Sequence, residues 1–242
     1  MKIALISDIH ANLAALEAVL ARIAMEDCVK TLCCGDIVGY GPYPRECLAL
    51  IQKSGIACVL GNHDDMMRKP DRVQKMRPDV RDALNWTREQ LTDEEIQWLG
   101  RLPRTMKYGG FELVHASNVI SPRWHYVIDR RSVTASFLFQ NGPLVFNGHS
   151  HVPILAAHRT GERPRMVELK DMTLPAGYRF MVNVGSVGQP RDRNPKASFV
   201  TFETRDRSLR IHRVAYDISA TQSAMVKAGL PRSLILRLSE GR

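Results

Sequence analysis

The sequence has little of what marks several protein classes. Its 242 residues carry five cysteines (Cys28, Cys33, Cys34, Cys47 and Cys58), an odd number with no Cys-x-x-Cys among them. From that arithmetic neither a disulfide framework nor a zinc knuckle is expected. Cys33, Cys34 and Cys58 lie in apolar, strand-like runs, where a free thiol packs as a small hydrophobe. No segment is low in complexity or rich in Pro, Gly and Ser, and there is no internal repeat and no linker, so a disordered chain is excluded. Aromatics amount to 7% and form no RNA-binding strand; neither a helix-turn-helix nor a zinc finger is present. The opening apolar run, Ile3-Ala4-Leu5-Ile6, meets Ser7-Asp8 too early for a signal peptide or a membrane span. The expected location is the cytoplasm, with no membrane partner.

What the sequence does hold is an enzyme-sized core, with 44% hydrophobic and 24% charged residues. The length suits one large α/β domain with a small appendage: a main domain over residues 1–218 and a helical tail over 219–242 packing on it. The formal charge of +9 favours anionic partners, and a small phosphorylated substrate fits. Basic residues are scattered from Lys2 to Arg242, densest between Arg68 and Arg88, as on a solvated surface. Nucleic acid is not expected as a partner, and a homo-oligomer is left open.

Several short apolar segments end abruptly in polar residues. Lys2–Ser7 leads to Asp8, Thr31–Cys34 to Gly35-Asp36, and Ile56–Leu60 to Gly61-Asn62-His63-Asp64. Phe111–Val114 leads to His115, and Leu144–Phe146 to Asn147-Gly148-His149-Ser150-His151. Such short, continuously apolar runs read as buried strands. A helix from about Leu13 to Met25, capped by Asn12, separates the first two, and a second helix, Pro44–Ser54, precedes the third. This is βαβ grammar, in which ligands sit beyond the carboxyl ends of the strands. Thr92–Leu99 reads as a helix with a Thr92/Glu95 capping box. Phe180–Val184, Ser198–Glu203 and Leu209–Val214 alternate as strands of a second sheet, and the tail reads as two helices broken at Gly229-Leu230-Pro231.

The polar residues released there are carboxylate, imidazole and amide donors: Asp8, His10, Asp36, Asn62, His115, His149 and His151. With no thiolate, the set suits Mn, Fe, Zn, Co or Ni and is poor for Ca. Strand alternation is expected to project Asp8 with His10, and His149 with His151, into one pocket. Seven donors exceed one tetrahedral ion and match two ions sharing a carboxylate.

Asp8-x-His10, Gly35-Asp36, Gly61-Asn62-His63-Asp64, the lone His115 and Gly148-His149-x-His151, in this order, resemble the calcineurin-like metallophosphoesterases. Gly39-Tyr40-Gly41-Pro42, the run from Gly185 to Asp192, and Gly229-Leu230-Pro231 resemble the small bacterial branch described as phosphodiesterase-like or protein-phosphatase-related. The resemblance implies an αββα four-layer sandwich of two mixed β-sheets flanked by helices. It implies two divalent transition-metal ions, manganese first, the first held by Asp8, His10, Asp36 and His151. The second is held by Asp36, Asn62, His115 and His149, with Asp36 bridging. His63 takes the place of the family's substrate-facing histidine, and Asp64 that of the carboxylate orienting it. Gln189 and Arg191 are candidate substrate contacts, with a simple turn as the equal alternative. The chain departs from the branch at Ala116-Ser117-Asn118, where Gly-Ser-Pro is usual, which puts the shape of that loop in question.

The chemistry expected is hydrolysis by a hydroxide bridging the metals, with His63 stabilising charge or protonating the leaving alkoxide. Small phosphodiesters or nucleotides are the first substrate reading, phosphoproteins or dinucleoside polyphosphates the second. A non-catalytic scaffold is the reading of another class, and the intact donor set speaks against it. Cys33 and Cys34 read as packing, His125, His158 and His212 as ordinary histidines, and Trp124-His125-Tyr126 as either a substrate wall or packing.

Overall fold

A computed structural model describes residues 1–119, 121 and 123–242. The chain opens with β1 (Lys2–Ile6), α1 (Leu13–Ala24), β2 (Lys30–Cys33), α2 (Pro44–Lys53) and β3 (Ala57–Cys58). Asn12 caps α1 as expected, its Oδ1 accepting the Ala15 N–H at 3.2 Å. Four helices follow in succession: α3 (Asn62–Met66), α4 (Pro70–Val73), α5 (Pro78–Gln90) and α6 (Asp93–Gly100). The Thr92/Glu95 capping box forms at the start of α6, its two bonds measuring 3.3 and 2.7 Å. Next come β4 (Thr105–Tyr108), β5 (Phe111–Val114), α7 (Arg130–Phe139), β6 (Leu144–Asn147), β7 (Ile154–His158), β8 (Arg165–Glu168) and β9 (Met172–Thr173). The chain closes with β10 (Arg179–Asn183), β11 (Ala197–Glu203), β12 (Ser208–Val214), α8 (Ile218–Lys227) and α9 (Arg232–Glu240).

The strands form two six-stranded mixed sheets, ordered β3-β2-β1-β11-β12-β9 and β4-β5-β6-β10-β7-β8. Period-two burial stacks them. Ile3 and Leu5 of β1 face Phe146, Phe180 and Val182 of the other sheet, while Ala4 and Ile6 face the helices. Each fully buried side chain of this kind contributes about 1.5–3 kcal/mol. Helices α1, α2, α5, α6, α8 and α9 cover the outer face of the first sheet, and α7 covers the second through Val133 and Phe137 against Val145 and Met181. The result is the expected αββα sandwich of four layers. Cys33 and Cys58 pack on the helical side and Cys34 between the sheets, all buried.

One sheet assignment is corrected. β10 lies in the second sheet as expected, but β11 and β12 extend the first, β11 pairing antiparallel with β1 from Lys2↔Glu203 to Leu5↔Val200. Alternation reports that a strand has two unlike faces; it does not report its neighbour. Among the described residues, no helix is long and apolar enough to cross a membrane.

β1, β2 and β3 run parallel, as do β5, β6 and β10, so each sheet presents three carboxyl ends at one edge. These edges meet: Asp8 accepts the His149 N–H at 3.0 and 3.2 Å, and the His115 ring reaches Cys34 O at 2.8 Å. The site lies at that junction.

Candidate metal centre

Asp8 and His10 follow β1, Asp36 follows β2, and Asn62, His63 and Asp64 open α3 beyond β3. His115 follows β5, and His149 and His151 follow β6. All seven expected donors converge, none more than 6% exposed. The route differs from the one expected. The strands stop at Ile6 and Asn147, so strand alternation does not aim the Asp-x-His and His-x-His pairs. The loops beyond do, through left-handed backbone at Asp8, His10, Asp36, His149 and His151 (φ 53°, 48°, 56°, 68° and 60°). Outside glycine such backbone costs about 1–3 kcal/mol per residue, and Asp and His are among the side chains that tolerate it best. Cross-loop bonds hold it, among them Asp8 N–H to Gly35 O at 2.9 Å and His10 N–H to Asp36 O at 3.1 Å.

The donor atoms cluster in three overlapping groups, Asp8/His10/His151, His10/Asp36/His63 and Asp36/His115/His149, each within 4.8 Å. Asp36 Oδ2 lies 3.6 Å from His10 Nε2 and 3.3 Å from His115 Nε2. His115 Nε2 is also 2.9 Å from Asn62 Oδ1, and His151 Nε2 is 3.3 Å from Asp8 Oδ1.

Backbone carbonyls set the tautomers. Val38 O, Cys34 O and Gln189 O lie 3.2, 2.8 and 2.6 Å from the Nδ1 atoms of His10, His115 and His151. A carbonyl only accepts, so each Nδ1 carries the proton and each Nε2 turns a lone pair inward. His149 is reversed, its Nε2 meeting Trp124 O at 3.2 Å and leaving Nδ1 as the donor atom. His10 Nε2 and His151 Nε2 therefore oppose lone pairs across 3.1 Å, beside the Asp8 carboxylate. Inward lone pairs beside a carboxyl that burial pushes up to about 7 make a set that a cation would satisfy.

The electrostatics agree. Burial and His63 hold His10 well below the usual imidazole range, and burial and Arg191 do the same for His151. Burial and His115 bring His149 down to about 3. Burial also opposes charge on His115, but Asp36 and Asp8 prevail and raise it to about 9. The negative potential that would place a proton on His115 would equally hold a metal ion. Burial resists ionisation of Asp36, yet His115, His63 and His10 keep its carboxyl well below the usual range.

The role read for Asp64 is corrected. Its oxygens accept the backbone N–H groups of Asp36 (2.9 Å), Ile37 (2.9 Å), Gly61 (3.1 Å) and Val38 (3.3 Å), and so fix the loop that presents Asp36. The His63 ring takes no orientation from it. That ring sits against Tyr40 and His10 (centroids 4.4 and 4.7 Å), with Nδ1 buried and without a hydrogen-bond partner. Burial brings its pKa down to about 4.

Gln189 acts through its backbone carbonyl on His151, while its side-chain Oε1 accepts from Arg191 at 2.8 Å. Arg191 lies over the Tyr40 ring. The loop that departs from the resembled branch is pinned at both ends. Ala116 O accepts from Asn147 Nδ2 at 2.8 Å, and the Asn118 N–H donates to Ser136 Oγ of α7 at 3.1 Å. His158 meets Arg179 and His212 meets Thr201, both outside the donor clusters. Four further residues support the centre, and only Tyr126 among them has a role, substrate wall or packing, open from the sequence. Ser186 donates to Asp8 O at 2.8 Å, and Asn183 holds Ser150 Oγ at 3.0 Å. Tyr40 packs on His63 and His10, and Tyr126 stacks on His149 at 4.0 Å. Ser186 and Tyr40 stand in motifs that give the resemblance but carry no role there.

Gly61 shows how tightly the centre is built, because a Cβ there would collide with the Asp36 amide nitrogen and Oδ1. Overpacking of this kind costs about 1–3 kcal/mol. Gly61→Ala should lower Tm by at least about 2 °C and reduce bound metal with it. Unchanged Tm and metal content, by thermal melt and elemental analysis, would show that the loop yields freely.

A two-sheet sandwich with buried Asp and His donors where the carboxyl ends meet defines a class of metal-centred hydrolases. Residues 1–207 match the calcineurin-like phosphoesterase superfamily domain, and the chain belongs to that family, hydrolases acting on phosphate esters. The family implies divalent metal ions, and the Asp/His clusters can hold them. A metallophosphoesterase from Sphaerobacter thermophilus superposes with TM-score 0.85 and 38% identity, covering 100% of this chain and 99% of that one. An uncharacterised protein of Methanocaldococcus jannaschii is 35% identical over 244 residues, covering 99% of this chain and 98% of its own. The symmetrical bis(5'-nucleosyl)-tetraphosphatase of Pectobacterium atrosepticum is 33% identical over 128 residues, 50% of this chain and 44% of its own. The match thus spans under half the length of that relative.

Proposed function

We propose that the chain is a binuclear-metal-dependent phosphodiesterase acting on small diesters or nucleotides. The observation that carries this reading is Asp36 Oδ2, which lies between the Nε2 atoms of His10 (3.6 Å) and His115 (3.3 Å). One carboxylate oxygen serving two imidazole sets suits two ions rather than one. Asp8, His10, Asp36 and His151 would hold the first, and Asp36, Asn62, His115 and His149 the second. Oxygen and nitrogen donors without thiolate favour manganese, with Fe, Zn, Co or Ni as substitutes. Bound divalent cations would supply Lewis acidity to the phosphoryl group and to the attacking water.

The chain's own residues do the remainder. Buried walls exclude bulk solvent, and Asp64 keeps the Asp36 loop fixed. Arg191 faces the substrate anion. As water adds to phosphorus and the ester P–O bond breaks, the neutral His63 imidazole donates a hydrogen bond to the leaving oxygen, which takes up the proton released by the attacking water. A cleft of about 560 Å³ opening past Tyr40, Tyr126 and Arg191 leaves room for a second ester group.

At saturating Mn²⁺, kcat/KM for bis-p-nitrophenyl phosphate should exceed that for p-nitrophenyl phosphate. A monoester preference above tenfold, about 1.4 kcal/mol in transition-state binding, would overturn the diesterase assignment. The partial likeness to a tetraphosphatase favours a second reading, a dinucleoside-polyphosphate phosphatase, and adding that substrate to the assay separates the two.

A further inference from the structure

The cleft beside the metal centre has a charge pattern that a simple ester does not need. Its inner wall is Tyr40 and Tyr126, the outer faces of the rings packed on His63 and His149. Its outer wall comes from elsewhere in the chain: Arg77 just before α5, Arg237 in the last turn of α9, and Arg242 beyond it. Arg191 joins the two walls. Against four guanidinium groups stand Glu240 in the lining and Asp79 behind it, which pairs with Arg77 at 3.1 Å. Arg237 is half-buried, and its guanidinium makes no hydrogen bond or close ion pair among the described residues; its nearest counter-charge is Asp79, whose carboxyl it helps to hold low. One carboxylate, Asp79, thus faces two guanidinium groups, and an excess of cations partly withdrawn from water in a concave site fits a bound anion.

We propose that this cleft is a subsite for the non-reacting phosphates of the substrate, so that the enzyme prefers phosphate esters carrying a polyphosphate chain. The inference rests on the phosphoesterase reading of the adjoining centre. A single reacting phosphate would lie against the Asp/His donors and has no use for cations beyond the two tyrosines. Further phosphates on the same chain would extend into the cleft, where planar guanidinium groups match their oxygens two at a time. The concave shape suits a small polyanion rather than a duplex. The competing explanation is local: Arg237 at the carboxyl end of α9 complements the helix dipole, a role that affects stability alone.

Two measurements on the full chain decide between them. Calorimetry of chelator-treated protein with inorganic tripolyphosphate should show binding, weakened at least tenfold in the Arg77→Gln/Arg237→Gln double variant, with Arg237→Lys retaining more affinity than Arg237→Gln. With Mn²⁺-loaded protein, the double variant should lose at least tenfold more kcat/KM on a nucleoside triphosphate than on bis-p-nitrophenyl phosphate. Absence of tripolyphosphate binding, unchanged affinity in the double variant, or equal losses on both substrates would overturn the proposal. A fall in Tm with no substrate discrimination would assign Arg237 to the helix end. If the wild type hydrolyses neither substrate, the hydrolase reading fails, while the binding measurement still decides the subsite.

Discussion

Asp36→Asn should reduce bound metal from about two ions per chain to one or fewer and lower kcat/KM by roughly 10³-fold or more, several kcal/mol of charge stabilisation. The replacement is nearly isosteric and keeps an amide oxygen able to accept the His63 N–H, which the carboxylate now takes at 2.8 Å. What it removes is the negative charge between the His10 and His115 rings. Burial alone would favour a neutral carboxyl, so the ionised form depends on the positive potential of those imidazoles or of the ions that replace it. Elemental analysis of protein purified without chelator, with kinetics on the same sample, reads both quantities. Wild type saturating at one ion with full activity would sink the shared-carboxylate arrangement.

The second large effect is expected at His63, and it separates in the opposite sense. His63→Ala should keep its metal while kcat falls by roughly 10²–10⁴-fold, the span of a positioned acid or hydrogen-bond donor. The ring is held by Tyr40, His10 and a backbone bond to Asp36, and its Nδ1 meets no partner. A ring nitrogen of His63 nevertheless lies within 4.8 Å of the ligand atoms of His10 and Asp36, close enough to serve as a ligand itself. Equal losses of metal and activity would therefore make His63 a ligand.

Much of this site is legible in the sequence because each donor is announced by an apolar run that stops. Asp8, Asp36, His115 and the His149/His151 pair stand just past strand ends, where composition changes abruptly. Less legible are features that depend on tertiary neighbours. The placement of β11 in the first sheet follows from its pairing with β1, 195 residues away at Leu5↔Val200; no local pattern encodes that. The family resemblance implies that Asp64 orients the neighbouring His63. Adjacent side chains at the start of a helix diverge, and its carboxylate instead turns to the amides of residues 36–38. Tyr126 reads equally as a substrate wall or as packing, since an exposed aromatic is distinguished only by what arrives beneath it, here His149.

The meeting of the two sheets at their carboxyl edges links ion occupancy to folding. Asp8, His10, Asp36 and Asn62 belong to one sheet's edge, and His115, His149 and His151 to the other's. An ion shared across that seam recognises the stacked state and has little affinity for either half alone. By mass action, an ion at a hundred times its dissociation constant adds about 2.7 kcal/mol to the folded state, comparable to one large core side chain. Ions held in that way would act as a rivet between the layers. A chelator would then work on this protein as a mild denaturant, and the concentration of free metal around it would set how firmly the sandwich is closed.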